Sequence, residues 1–245
     1  MTDHKTNTLS VILPAYNEEK IIRANVKTLL RFLGELNLDN YEIVLVENGS
    51  KDDTLKIARE LEKESKHLRV FSVAKAGYGN AVRVGVRNVR YKKILIYTMD
   101  LTFSLDSVKN MIEKLDDYYV ALGCRYMKGS KQDRPFIRIF ISRSHNLLVN
   151  LFFGSHFNDV DCLKSFRSDV GREIIARTKT NDAFIEVEMM AMVHANKIPY
   201  YEVATSHIEP TLARHPSYLI KIVVGGFLSL VKNYRGLKKR KIKWR

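Results

Sequence analysis

The sequence has little with which to staple a scaffold. Its two cysteines, Cys124 and Cys162, stand alone and in no metal-like spacing, which excludes a disulfide framework and a zinc ribbon. Twelve glycines and five prolines in 245 residues are too few for a collagenous or linker-dominated chain. Long apolar runs are missing too. The longest near the C-terminus, Tyr218–Val231, is interrupted by Lys221 and two glycines and falls short of the roughly 20 residues a helical span needs. Met1–Thr8 is polar and leads straight into a strand-like segment, so neither a secretory signal nor a full transmembrane span is expected. Acidic charge is in deficit, 27 Asp+Glu against 41 Lys+Arg, for a net charge of +14.

What is present is a globular composition, 45% hydrophobic and 28% charged, in a chain long enough to bury a sizeable core. The excess charge is uneven. The last 14 residues, Lys232–Arg245, carry eight Lys/Arg and no acid, which leaves +6 for the rest. Such a tail meets polyanions, either nucleic acid or an anionic membrane surface. The sequence has no RNP-like aromatic pattern, zinc finger or recognisable helix-turn-helix, so no nucleic acid partner is expected.

Short apolar runs alternate with amphipathic patterns through the first half. Leu9–Pro14, Glu42–Val46, Leu68–Val73, Lys93–Thr98 and Tyr119–Gly123 read as strands. Helices are expected at Glu18–Leu36, Asp52–Glu64, Asn80–Val89 and Leu105–Leu115. Strands spaced by helices predict βαβ units and an α/β fold with a mostly parallel sheet. In such sheets ligands bind past the carboxyl ends of the strands.

Four post-strand loops carry the candidate chemistry. Pro14-Ala15-Tyr16-Asn17-Glu18-Glu19 stops a strand and offers two acids to the start of a helix, where the dipole favours them. Glu47-Asn48-Gly49-Ser50-Lys51-Asp52-Asp53-Thr54 places an acid where it can accept from a nucleobase or ribose, and Ser50 or Asp52 can cap the next helix. Lys75-Ala76-Gly77-Tyr78-Gly79-Asn80 has two glycines that permit close approach to a ligand and a lysine that could neutralise phosphate. Thr98-Met99-Asp100-Leu101-Thr102 ends an apolar strand in an acid, where a divalent ion bridging two phosphates is held.

In this order and spacing the loops resemble the family-2 glycosyltransferases of the GT-A fold. V-I-L-P-A-Y-N-E-E matches their opening strand and P-x-x-N-E, V-E-N-G-S-K-D-D-T their V-D-D-G-S-x-D-x-T, and G-Y-G-N-A-V-R-V-G their G-x-x-x-A-x-x-x-G turn. Gly123-Cys124-Arg125-Tyr126, Ser142-Arg143, Asp161 through Phe166-Arg167, and Glu202-Val203 followed by Arg214 are similar to the polyprenyl (dolichyl) phosphate mannose or glucose synthases. The resemblance covers roughly residues 8–220. It implies a nucleotide-sugar site at Pro14, Tyr16, Glu18, Glu47, Asn48, Lys75, Gly77, Asn80, Met99 and Asp100, and an acceptor site at Arg125, Arg143, Lys164 and Arg214. Asp100, Arg125 and Arg143 are the implied catalytic residues, and Asp100 with Thr102 the implied site for Mg2+ or Mn2+. The departures are specific. The family's D-x-D is Asp100-Leu101-Thr102, so the second carboxylate is a neutral hydroxyl, and Lys164-Ser165 stands where the family has Ser-Gly.

The implied activity is an inverting transfer of a hexose from a nucleotide sugar (GDP-mannose or UDP-glucose type) to a polyprenyl phosphate. A phosphate acceptor is already ionised near neutral pH, so this reaction needs cationic positioning more than a base. Arginine forks at Arg125 and Arg143 suit that task, and His207 and His215 rank below them. A saccharide or glycolipid acceptor would need a base, for which Asp161 or Glu186 is the candidate, although helix acids such as Glu186 and Glu188 are commonly just exposed. A GT-A-like pseudoenzyme is the remaining alternative, suggested by Thr102. Phe136–Phe153 and Tyr218–Val231 read as apolar helices able to lie in a membrane surface, and the basic tail would add electrostatic attraction. The chain is thus expected to divide at residues 1–215 and 216–245, a catalytic domain and an amphipathic helix with its tail. It would sit at the cytoplasmic face of a membrane, with room for a separate membrane subunit.

Overall fold

The computed structural model describes residues 7–73, 75–208 and 242. Tyr218–Val231, Arg214, His215 and nearly all of the basic tail therefore lie outside the described residues, as does the expected division after residue 215. Ile242 is the exception. It is buried against the body, and its N–H donates to Asn196 Oδ1 at 3.0 Å.

The first half alternates as the sequence predicts: β1 (Thr8–Ala15), α1 (Ile22–Glu35), β2 (Asn40–Glu47), α2 (Thr54–Glu64), β3 (Leu68–Ser72), α3 (Tyr78–Asn88), β4 (Lys93–Ile96), α4 (Asp106–Lys114) and β5 (Val120–Cys124). There follow β6 (Gln132–Asp133), α5 (Phe136–Phe153), β7 (Leu163–Arg167), α6 (Ser168–Ala176), α7 (Ile185–Ala195), β8 (Tyr200–Ala204) and β9 (His207–Ile208). Seven strands form one sheet in the order β3-β2-β1-β4-β7-β5-β8, and β6 pairs with β9. All neighbours in the large sheet are parallel except where β7 runs antiparallel between β4 and β5.

β1 is apolar on both faces because helices cover both. Ile12 enters the core on the side of α3, α5, α6 and α7, while Leu9, Val11 and Leu13 face α1, α2 and α4. The α1 stripe Ile22, Val26, Leu29 and Leu33 is fully buried at helical spacing. Gly85 lets α3 lie close on the sheet, since a Cβ there would stand 2.4 Å from Ile12 Cγ2.

Two apolar helices contrast. α7 is buried around almost its whole circumference. In α5 only Val149 and Phe153 are buried, while Phe136, Phe140, Leu147 and Leu151 are 81%, 58%, 68% and 75% exposed. Among the described residues no helix is long and apolar enough to cross a membrane.

Candidate functional site

The first two post-strand loops are zipped together by hydrogen bonds. Asn17, at φ 55°, donates its N–H to Ser50 Oγ at 3.0 Å and accepts from Lys51 N at 2.9 Å. Glu18 N donates to Thr54 Oγ1 at 2.7 Å, Glu19 N to Asp52 Oδ2 at 3.2 Å, and Asp53 N to Glu19 Oε2 at 3.1 Å. This corrects one expectation. α1 starts at Ile22, so Glu18 and Glu19 precede the helix and tie the loops together instead of occupying its first turn. Asp52 also bonds Thr54 N, at 3.1 Å, from one residue outside the α2 cap.

Glu47 departs from the reading as a nucleotide acceptor group. It is 2% exposed. Its oxygens accept from Ser50 N and from Ser72 Oγ, the latter at 2.7 Å, so it shapes the loop from within. Asn48 is buried as well, its Oδ1 accepting from Gly77 N at 2.8 Å. Gly77 and Gly79 were expected to admit a ligand, but they admit protein backbone. A Cβ on either would lie 2.6 Å from Asn181 O or 2.5 Å from Thr180 O. Asn80 Oδ1 accepts from Arg83 Nη2 at 2.9 Å, and Met99 is buried. Pro14, Glu18 and Gly77 are half-buried, which leaves Tyr16, Lys75 and Asp100 as the exposed members of the set.

Loop four is strained. Leu101 has φ 50°, a left-handed conformation that costs a bulky residue about 1 kcal/mol or more. The tight turn brings Thr102 Oγ1 to 3.1 Å and Thr102 N to 3.3 Å from Asp100 Oδ1. It is pinned from below by Tyr97 Oη, which donates to Phe103 O. From the side, Ile208 N donates to Thr102 O and Ser104 N to Ser206 O, both at 2.9 Å.

Beside this loop opens a cavity of about 520 Å3. Thr98 and Phe103, which flank Asp100 in the chain, line it together with residues at the start of β7, from the inner side of α5 and from the start of α7. Its wall is mainly apolar, with Ile96, Phe103, Ile141, Leu163, Phe184 and Val187, and a set of ion pairs is built into it. Arg125 directs Nε and Nη2 at Asp159, at 2.7 and 2.8 Å. Lys164 bonds the carbonyls of Val160 and Cys162 at 3.0 Å each and pairs with Glu186, which also accepts from Tyr78 Oη at 2.7 Å. His145 Nδ1 lies 3.1 Å from Asp161 Oδ2.

These contacts set protonation states. Burial works against the Lys164 ammonium, but Glu186 outweighs it and raises its pKa. Burial also opposes charge on Asp161, yet the hydrogen bond and charge of His145, with Arg125 and Lys164, hold its carboxyl well below the usual range. The same pairing overcomes burial and raises the pKa of His145. Burial, with Arg125 and Arg134 nearby, pushes His207 down to about 4.

The sequence-named acceptor residues are therefore distributed unevenly. Arg125 and Lys164 do line the cavity. The two-pronged grip expected of Arg125 is spent on Asp159, however, and all three Lys164 protons have protein acceptors. Arg143 is on the exposed side of α5, its guanidinium 5.1 Å from the Tyr126 ring centroid. Glu188 is fully buried and accepts from Lys179 N, Thr180 N and Thr180 Oγ1, so it is structural and not the exposed helix acid expected. Sequence reasoning missed Tyr78, Arg134, His145 and Asp159. The one local signal was the pair of acids in N-D-V-D, of which only Asp161 belonged to the motif.

Residues 10–197 match the family model described as Glycosyl transferase family 2. The chain is 31% identical over 190 residues to Glycosyltransferase AglD of Haloferax volcanii, covering 74% of this chain and 30% of that one. It is 27% identical over 224 residues to dolichyl-phosphate beta-glucosyltransferase of Homo sapiens, covering 84% of this chain and 69% of that one. The fold is similar to that of glucosyl-3-phosphoglycerate synthase from Mycobacterium tuberculosis in complex with Mn2+, uridine diphosphate and phosphoglyceric acid. There the TM-score is 0.64 at 15% identity, over 93% of this chain and 78% of that one.

Proposed function

Because the chain belongs to glycosyl transferase family 2, we propose that it moves a hexose, with inversion, from a nucleotide sugar of the GDP-mannose or UDP-glucose type to a polyprenyl phosphate at a membrane surface. The observation that carries this reading is the two-sidedness of α5. Its inner side lends Arg138, Ile141, Ser142 and His145 to the cavity, while its outer side exposes Phe136, Phe140, Leu147 and Leu151. A polyprenyl phosphate has the matching construction, an anionic head on an apolar tail. The name of the human relative supports the same acceptor class.

The chemistry of the wall agrees. An acceptor phosphate, with a second pKa near ~6, is already anionic and needs no strong base. A hydroxyl acceptor would need one. Asp161 is held too acidic for that task, and Glu186 is occupied by Lys164 and Tyr78. The ion pairs instead fix the cavity's shape and charge before substrate arrives, which is the condition for electrostatic catalysis.

Asp100 and Thr102 fit a Mg2+ or Mn2+ that arrives with the nucleotide, because both offer hard oxygen ligands and such ions are commonly held by one or two carboxylates plus substrate phosphates. Among the described residues no group of three or more His, Cys, Asp or Glu would hold the ion without those phosphates. When bound, it would neutralise charge on the departing diphosphate.

The outer side of α5 would dock on the cytoplasmic leaflet, peripherally, helped by the basic tail. A radiolabelled transfer assay tests the reading, using purified protein, polyprenyl phosphate, GDP- and UDP-sugars, and Mg2+ or Mn2+. One donor should yield an acid-labile lipid product, and failure of every donor sinks the proposal. In liposome flotation, Phe140→Asp with Leu147→Asp should lower binding while leaving the melting temperature near that of the wild type. Unchanged flotation would remove α5 from the docking surface.

A further inference from the structure

Among the described residues, four buried side-chain atoms have no hydrogen-bond partner: Thr98 Oγ1, Gln132 Oε1, Arg134 Nε and His207 Nδ1. Folded proteins leave few such atoms, and each is costly. Scattered, they would mean little, but Thr98 and Arg134 line one cavity, and His207 packs on Phe103, another residue of its lining. Gln132 pairs with His207 in the β6–β9 ladder, and Arg134 follows two residues later. His207 also bridges to Phe103, whose ring it meets edge-on with centroids 4.8 Å apart. Phe103, Thr98 and Arg134 all line the cavity beside Asp100.

Three of the four can donate: the Thr98 hydroxyl, the Arg134 guanidinium and the His207 imidazole. Gln132 Oε1 is an acceptor and takes no part. The charge balance points the same way. Arg125, Lys164 and His145 each have a carboxylate. Arg134 has only a long hydrogen bond to Tyr126 Oη at 3.4 Å and no ion pair among the described residues. Burial and the neighbouring Arg125 both disfavour its charge. A partly buried arginine in that position lacks one thing, an anion.

We propose that Arg134, with His207 and Thr98, forms an oxyanion cradle that receives a phosphate group of the substrate, and that Arg134 supplies the grip the sequence assigned to Arg125. The chemistry is that of a phosphate oxygen accepting charge-assisted hydrogen bonds from a guanidinium, which are short and roughly twice as strong as neutral ones. Two sources offer such a group at this place, the diphosphate of a nucleotide sugar and the head of a lipid phosphate. The inference rests on the phosphoryl-substrate reading above, but its binding test is independent of sugar transfer.

The test uses the full chain and calorimetric titration with four probes: UDP, GDP, inorganic pyrophosphate and the short-chain lipid analogue citronellyl phosphate. Arg134→Gln should weaken at least one by about tenfold or more, and Arg134→Lys should recover part of the loss. Loss confined to UDP, GDP and pyrophosphate assigns the cradle to the donor diphosphate. Loss confined to citronellyl phosphate assigns it to the acceptor head. The unliganded Arg134→Gln protein should melt at or above the wild-type temperature, because it removes a partly buried charge that has no ion pair among the described residues. Unchanged affinity for all four probes overturns the cradle, as does a wild type that binds none of them. If wild type binds pyrophosphate through Arg134 yet transfers no sugar, the cradle stands and the transferase reading falls.

Discussion

The two halves of the large sheet are held at their carboxyl edges by different forces. On the β1–β2 side the loops are joined mainly by backbone N–H groups donating to Asn17, Glu19, Ser50, Asp52 and Thr54 side chains. On the β4–β7 side the edge is held by the buried pairs Arg125–Asp159 and Lys164–Glu186, with His145–Asp161 near them. Several exposed or half-buried hydrogen bonds, none of them an ion pair, make a stiff surface whose loss is gradual. A few desolvated charges make a cavity of fixed potential in which losing the partner of Arg125 or Lys164 is severe, because the other charge is left stranded. The difference suits the two tasks proposed for them, shaping a nucleotide seat and balancing phosphate charge.

The comparison is broken most directly at Asp159. Asp159→Ala leaves Arg125, 6% exposed, without its counter-charge, and should cost about 3–5 kcal/mol in denaturant unfolding. A loss below 1 kcal/mol would show that the pair is not a structural support. On the other side, Thr54→Val removes the acceptor of Glu18 N and the donor to Asp52 Oδ1. It should cost about 1–2 kcal/mol, clearly less than Asp159→Ala. Equal losses would erase the distinction.

The smallest effect is a pH dependence. His145 has a raised folded-state pKa, so its contribution is fully present below its unfolded value near ~6.5 and fades as pH rises through the folded value. Asp161, with a lowered pKa, contributes above its unfolded value near ~3.9 and loses that only as pH falls through the folded one. The stability gap between wild type and His145→Gln should therefore be widest near about pH 5.5 and narrow toward about pH 9. A gap that is flat or widens with pH would contradict the His145–Asp161 pairing.

How much of this was legible depended on whether a feature is local in the chain. β1, α1 and the strands that follow could be read because burial on one or two faces imposes periods of 2 or 3.6 on neighbouring residues. The loops could be located because each follows a strand. Their internal roles could not. Glu47 looks like a ligand group in sequence and proves to be the inner brace of its own turn, and Gly77 and Gly79 accommodate the backbone at Thr180–Asn181, about a hundred residues away. The antiparallel entry of β7 between β4 and β5 left no periodic trace, since a buried strand has the same pattern in either direction. The exposed side of α5 was half legible. Its hydrophobicity was evident, but α7 is hydrophobic as well and is buried almost all round.

By itself the sequence determined the family, the alternation of strands and helices, the position of Asp100 at a strand end, and the excess of positive charge. All of these are written in short windows and in residue type. Only the tertiary structure decided which of those charges are spent. Arg125 and Arg134 are nine positions apart and chemically alike, yet Asp159 neutralises the first and leaves the second beside His207 without an acid. That assignment turns on distances of about 3 Å between groups far apart in the chain, within which a buried charge is either paired or not, and such distances exist only in the folded molecule.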